Sequence, residues 1–198
     1  MADATRFQFN DPSVPKAYDE FLVPRLFEPW AKLLLDEAGL QPGESVLDIA
    51  TGPGTVARLA AARLGARGRI VATDISEPML DIAKRKSQPS TSAPIEYLQS
   101  PATPLAAAPS GAALKTAAED AGFRQVRLVT RSLPMVLEGG VEQAVRAFAA
   151  TPTSPGVAAL AQHIQDAFFA QLREEMSRLL KDGKVVGEMT SNIIVGNC

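Results

Sequence analysis

The chain has 198 residues, 46% of them hydrophobic and 21% charged, enough apolar material for one compact domain with a sizeable core. A formal net charge of −2 excludes a basic footprint for nucleic acid, and no stretch approaches the length of a membrane span. The only cysteine, Cys198, excludes an intrachain disulfide, and no basic region leads into an apolar run near the start, so a soluble cytoplasmic protein is expected.

Residues 1–15 are polar and carry Pro12 and Pro15, the pattern of a loose arm or flap. Aromatic and apolar side chains then crowd around two prolines between Ala17 and Trp30, and Pro24 and Pro29 predict short helical pieces rather than one helix. Phe27 and Trp30 are expected to pack on a sheet. A helical pattern runs from Pro29 to Gly39, and Gly39 to Gly43 turns the chain into a first strand.

That strand, Val46-Leu47-Asp48-Ile49, ends in the turn Ala50-Thr51-Gly52-Pro53-Gly54. A helix opens at Thr55, and a second apolar run, Arg69 to Thr73, stops at Asp74. This is the layout of a βαβ nucleotide-binding unit. Its glycines let the backbone approach a ligand, the helix start offers free N–H groups, and Asp74 can accept hydrogen bonds from two ribose hydroxyls. Gly52-x-Gly54-x-x-Ala57 with an acid at 74 also satisfies a dinucleotide fingerprint. Asp48 decides between the two: a carboxylate just before the turn repels a pyrophosphate and attracts a cationic amino-acid moiety, which S-adenosylmethionine carries. The bland alternative is that Asp48 caps the turn and Asp74 merely ends a strand, since Asp is common at turns.

Asp48-Ile49-Ala50-Thr51-Gly52-Pro53-Gly54 resembles the first motif of class I S-adenosylmethionine-dependent methyltransferases, and Asp74-Ile75-Ser76 followed by Met79-Leu80 is similar to the segment after it in the ubiquinone/menaquinone-biosynthesis type. The likeness runs from about residue 16 to 105. It implies an α/β fold, a Rossmann-like three-layer sandwich with a mostly parallel sheet and a closing antiparallel C-terminal hairpin. It implies S-adenosylmethionine as cofactor, held by Asp48, Ala50, Thr51, Gly52, Pro53 and Gly54 at the methionine end, by Asp74 at the ribose and by Ile75 on the adenine, with Met79 a further cofactor-binding candidate. Tyr18 and Phe21 are candidates for a pocket cap, and Arg25 for the cofactor carboxylate. An acid and an alanine that contact the adenine edge in the family fall on Pro101 and Ala102, so only Ala102 is retained.

The helix from Thr55 to about Leu64 is rich in alanine and suited to close packing on a sheet. Another is expected from Glu77 to about Ser87, with Lys84, Arg85 and Lys86 as its solvated end, before a strand at Ile95 to Leu98. The family then continues with a fourth strand, a helix and a fifth strand. Here Leu105 to Ser110 leads directly into a helical segment at 111–123, as though a block were removed near 106–111. Gln125 to Arg131 alternates as a strand, Gly140 to Ala150 forms an amphipathic helix, and Thr151 to Pro155 a linker. A long half-buried helix spans Val157 to Leu180, and Lys184 to Val195 closes the domain as the hairpin partner of the 125–131 strand. His163 stands alone as a surface residue, with no metal expected.

No nucleophile, base and acid constellation is visible, which suits methyl transfer from an already activated sulfonium, and no catalytic residue is named. The sequence therefore points to a methyltransferase acting on a small-molecule acceptor, hydrophobic or aromatic from the residues of the N-terminal cap. The alternative is an inactive, methyltransferase-derived binding module that dimerises through edges left by the absent strands. A nicotinamide-dependent reductase is disfavoured by Asp48.

Overall fold

The computed structural model describes residues 13–100, 110–148, 150, 151 and 153–197. It begins with a continuous helical run: α1 (Ser13–Ala17), a π-helical segment (Tyr18–Phe27) and α2 (Glu28–Ala38). The prolines do not divide it, contrary to expectation. Pro24 sits inside the wide π-helical turns, whose i→i+5 register displaces the hydrogen bonds that its missing N–H would interrupt. Pro29 falls in the first turn of α2, at its junction with the π-helical segment, where the fixed φ of proline suits the helix. Gly39 closes α2 in the left-handed conformation, donating to the Leu35 carbonyl.

Strands β1 (Ser45–Ile49), β2 (Arg69–Asp74) and β3 (Ile95–Gln99) form a parallel sheet in the order β1-β2-β3, connected by α3 (Thr55–Leu64) and α4 (Glu77–Arg85). The alanines of α3 let it lie close on one face of this sheet. Ala57, Ala60, Ala61 and Leu64 meet Ile70, Ala72, Ala93 and Leu35 of α2 in the main core. The other face carries exposed apolar side chains and is bare among the described residues. Leu47 and Ile49 are 61% and 57% exposed, and Leu98 is 43% exposed. Ile49, Thr73 and Leu98 share one register row across the three strands. Among the described residues β1 is an edge of this sheet, and a parallel sheet is normally covered on both faces.

After α5 (Gly111–Asp120), β4 (Arg124–Leu137) pairs antiparallel with β6 (Lys184–Asn197), with the short β5 (Leu180–Lys181) on its far side. The hairpin pairing expected for the two C-terminal strands is present, and it forms a sheet of its own. Between its long strands run α6 (Gly140–Phe148), α7 (Ser154–Ala158) and α8 (Gln162–Arg178). The single helix expected over Val157–Leu180 is thus two. The chain breaks at Ala159–Ala161, where Gln165 donates to the carbonyls of Ala158 and Leu160. The hairpin is tied to α2 by Glu37, which pairs with Arg127 at 2.8 Å and with Arg131. Those two guanidiniums, Arg127 foremost, hold the Glu37 carboxyl below the usual carboxylate range.

The asymmetry of the parallel sheet has a measurable consequence. Leu64→Ala, on the packed face, is expected to destabilise the chain by about 2–5 kcal/mol in chemical denaturation, whereas Leu47→Thr, on the bare face, is expected to stay within about 0.5 kcal/mol.

Candidate functional site

The turn after β1 is built from three left-handed residues, Ala50 (φ 60°), Gly52 (φ 56°) and Gly54 (φ 75°). Thr51 N–H donates to the Thr73 carbonyl at 2.9 Å, which carries the β1-β2 pairing into the turn, and Gly54 N–H donates to Thr51 at 3.0 Å. Glycine is required at 54 for space as well as for φ. A Cβ there would stand 2.9 Å from Tyr97 Oη and 3.0 Å from Ala83 Cβ. At Ala50 the alanine holds a conformation that costs of order 1 kcal/mol, the kind of strain that collects at ligand clamps.

Two carboxylates fix this turn. Asp48 Oδ2 accepts from Thr51 Oγ1 at 2.6 Å and from Ala57 N–H at 3.1 Å, so it caps α3 from behind the turn. Burial raises its pKa, against the lowering effect of those two bonds. Asp74 is buried at the end of β2. Its Oδ2 accepts from Gly52 N–H and its Oδ1 from Ser76 N–H, both at 2.8 Å. Ser76 in turn caps α4, accepting from Met79 N–H.

In front of the turn lies a cavity of about 490 Å³, within the ~300–1,000 Å³ range of small-molecule sites. The helical run contributes Tyr18, Phe27, Trp30 and Leu34. The turn contributes Ala50 to Pro53, and α3 contributes Thr55 and Val56. The third wall is β6, through Met189 and the consecutive residues Ser191, Asn192, Ile193 and Ile194. No charged side chain lines it among the described residues. The Tyr18 ring stacks on Phe27 at 4.7 Å between centroids, and burial, reinforced by the negative field of Asp74, keeps its hydroxyl protonated well above the usual tyrosine pKa.

Of the residues expected from sequence, Tyr18, Ala50, Thr51, Gly52 and Pro53 meet at this cavity. Asp74 joins them through Gly52, while Asp48 and Gly54 support the turn. Asp48 thereby has the capping role, its carboxylate engaged with its own turn. Ile75 is partly exposed beside Asp74, and Met79 is buried in the core. Arg25 does not reach the cavity. Its guanidinium donates to the carbonyls of Phe21 and Glu20 on its own helical segment and lies over the Phe21 ring. Ala102 lies outside the described residues. Phe27 and Trp30, expected only as sheet packing, are cavity walls, and the β6 wall was not anticipated. Lys86, expected in solvent, pairs with Asp19 instead.

The site suits a ligand rich in hydrogen-bonding groups as well as apolar surface. Thr55 Oγ1, at the opening of α3, is buried and has no hydrogen-bond partner among the described residues. The first N–H groups of a helix have no partner within it. Nothing stands within 4 Å of where a Gly52 Cβ would lie, so the turn leaves room against its backbone.

The family model described as the ubiE/COQ5 methyltransferase family matches residues 12–126. A demethylmenaquinone methyltransferase from Symbiobacterium thermophilum is 33% identical over 60 residues, 30% of this chain and 24% of that protein. A ubiquinone/menaquinone biosynthesis C-methyltransferase UbiE from Laribacter hongkongensis is 39% identical over 75 residues, 36% of this chain and 31% of that one. The chain therefore matches about a quarter to a third of the length of these curated relatives. Among solved structures, a SAM dependent methyltransferase from Aquifex aeolicus overlaps 46% of this chain and 47% of its own, with 32% identity and a TM-score of 0.38.

Gly54→Ala is expected to cost about 2–4 kcal/mol in urea denaturation, from strain at positive φ plus the clash with Tyr97 and Ala83. Asp48 titrates in the opposite sense to a salt-bridged acid. Its folded pKa lies above the unfolded value, so its favourable contribution is complete below the unfolded pKa and is lost as pH rises through the folded one. Asp48→Asn keeps an acceptor oxygen and removes this loss, so the variant is expected to gain stability relative to the parent between about pH 4 and about pH 7, read by denaturation at both ends.

Proposed function

The chain belongs to the ubiE/COQ5 methyltransferase family, and from that premise we propose that it binds S-adenosylmethionine at the glycine turn and transfers its methyl group to an uncharged, apolar small molecule held in the adjoining cavity. The observation that carries this reading is the meeting of the Asp74-pinned turn with an apolar, aromatic-walled cavity at Ala50 to Pro53. When bound, the cofactor supplies a methyl group on a sulfonium leaving group, so the chain's own residues have to bind, align and exclude water. Each Asp74 oxygen accepts one backbone N–H and keeps lone pairs for ribose hydroxyls. Thr55 Oγ1 and the first N–H groups of α3 face the polar end of the ligand. Trp30, Phe27 and Leu34 from one side and Met189 and Ile193 from the other suit an apolar ring, in keeping with relatives named for ubiquinone and menaquinone biosynthesis. The described lining carries no charge to meet a phosphate or carboxylate, which disfavours acceptors bearing one. We place this activity in the cytoplasm, as the lone cysteine suggests.

A second reading, a dimerising module without turnover, draws on the bare face of Leu47, Ile49 and Leu98 beside the unpaired edge of β1. It predicts a mass in solution of twice the chain and no transfer of labelled methyl.

Calorimetric titration with S-adenosylhomocysteine tests the first reading. Binding in about the micromolar range is expected for the parent, weakened about tenfold or more in Asp74→Ala. The single tryptophan, Trp30, is expected to change its fluorescence when an apolar aromatic acceptor analogue is added. Absence of heat in the parent chain contradicts the reading.

A further inference from the structure

Lys86 follows the last residue of α4, in a basic run that by sequence ends in solvent. Its ammonium is instead held between two other elements. It pairs with the carboxylate of Asp19 in the π-helical segment, 67 residues away, and its Nζ lies 3.5 Å from the carbonyl oxygen of Pro53 in the glycine turn. The Lys86 and Asp19 side chains are only 24% and 21% exposed. No other ion pair among the described residues has both partners less than a quarter exposed. Asp19 adjoins Tyr18, whose ring forms the cavity wall over the turn and is braced on its other side by Phe27.

We propose that Lys86 is a positioning residue: through Asp19 and the Pro53 carbonyl it clasps the N-terminal helical segment to the glycine turn and so sets the place of Tyr18 over the site. Val23 is the one buried residue of the segment, and Tyr18 stacks on Phe27 within it. An ion pair that joins two segments and a turn acts on their relative position, unlike an exposed pair along one helix, which contributes little. Opening the clasp swings Tyr18 away and widens the cavity mouth. Its effect on ligand release rests on the cofactor reading above; its effect on the helical segment does not.

Arg85 and Lys16 line the cleft beside Asp19, and Lys16 is drawn toward Glu20 at 3.9 Å. Each partner of the clasp is therefore changed in turn. The test compares Lys86→Met, Asp19→Asn, Lys86→Arg and the reversed pair Asp19→Lys with Lys86→Asp. Amide hydrogen exchange is followed over residues 18–27 and over 55–64 in the ligand-free chain, together with the dissociation rate of S-adenosylhomocysteine. In Lys86→Met and Asp19→Asn, exchange over 18–27 is expected to rise about tenfold while that of 55–64 is unchanged, and dissociation to quicken by about the same factor. Lys86→Arg and the reversed pair are expected to return both to within about threefold of the parent. Unchanged exchange over 18–27 in both single variants, or exchange raised equally along the whole chain, overturns the proposal. If S-adenosylhomocysteine binds none of the proteins, the parent included, the cofactor reading fails and the exchange result alone decides the clasp.

Discussion

The structure around the site depends on the way Asp74 is satisfied. A carboxylate buried at the end of a strand is costly unless hydrogen-bonded, and here both oxygens find backbone donors, Gly52 N–H on one side and Ser76 N–H on the other. Those two bonds join the glycine turn, the tip of β2 and the start of α4 at one point. The left-handed turn then has a fixed position relative to α3, whose first turn Asp48 caps from the opposite side. The cavity floor is a by-product of this arrangement: with the backbone of residues 50–53 held in place, the helical run on one side and β6 on the other need only approach it.

The parallel half of the fold was legible because its signals are local. Left-handed glycines, an acid after each apolar run, alanine-rich spacing and Ser76 before Pro78 each dictate the structure within a few residues, and α3 falls where the sequence places it, at Thr55–Leu64. The β4-β6 pairing was legible from alternation. Other features arise from contacts between distant segments. Nothing in the run Lys84-Arg85-Lys86 indicates that its third member is met by Asp19, and nothing in Met189 or in the run Ser191 to Ile194 marks them as a cavity wall. Pro24 misled because the rule against proline presumes α-helical hydrogen bonding, and the wider π-helical turns relax it. Trp30 and Phe27 were read as core because an aromatic residue in an apolar helix gives the same pattern whether it meets a sheet or a cavity.

The least ordinary feature of the fold is the unequal cover of the two faces of the parallel sheet. One face of the parallel sheet carries the whole main core, while Leu47, Ile49 and Leu98 stand in water on the other. Burying a leucine or isoleucine side chain contributes about 1.5–3 kcal/mol, so this sheet lacks a stabilisation that a covered parallel sheet has. The turn, α3 and the N-terminal helices all lie on or beside the packed face, so the geometry of the turn does not depend on cover for the other face. The Glu37 pairs with Arg127 and Arg131 bring the antiparallel sheet to the same side, so that β6 closes the cavity.

The central claim, that the turn pinned by Asp74 and the cavity before it form one cofactor-dependent site, is tested most directly by a nitrogen-proton NMR titration of the chain with S-adenosylhomocysteine. The account predicts saturable shifts of the Gly52 and Ser76 amides, which share Asp74, together with the Trp30 indole across the cavity. Shifts that leave Gly52 and Ser76 in place, or that gather on the bare face around Leu47 and Ile49, would contradict it.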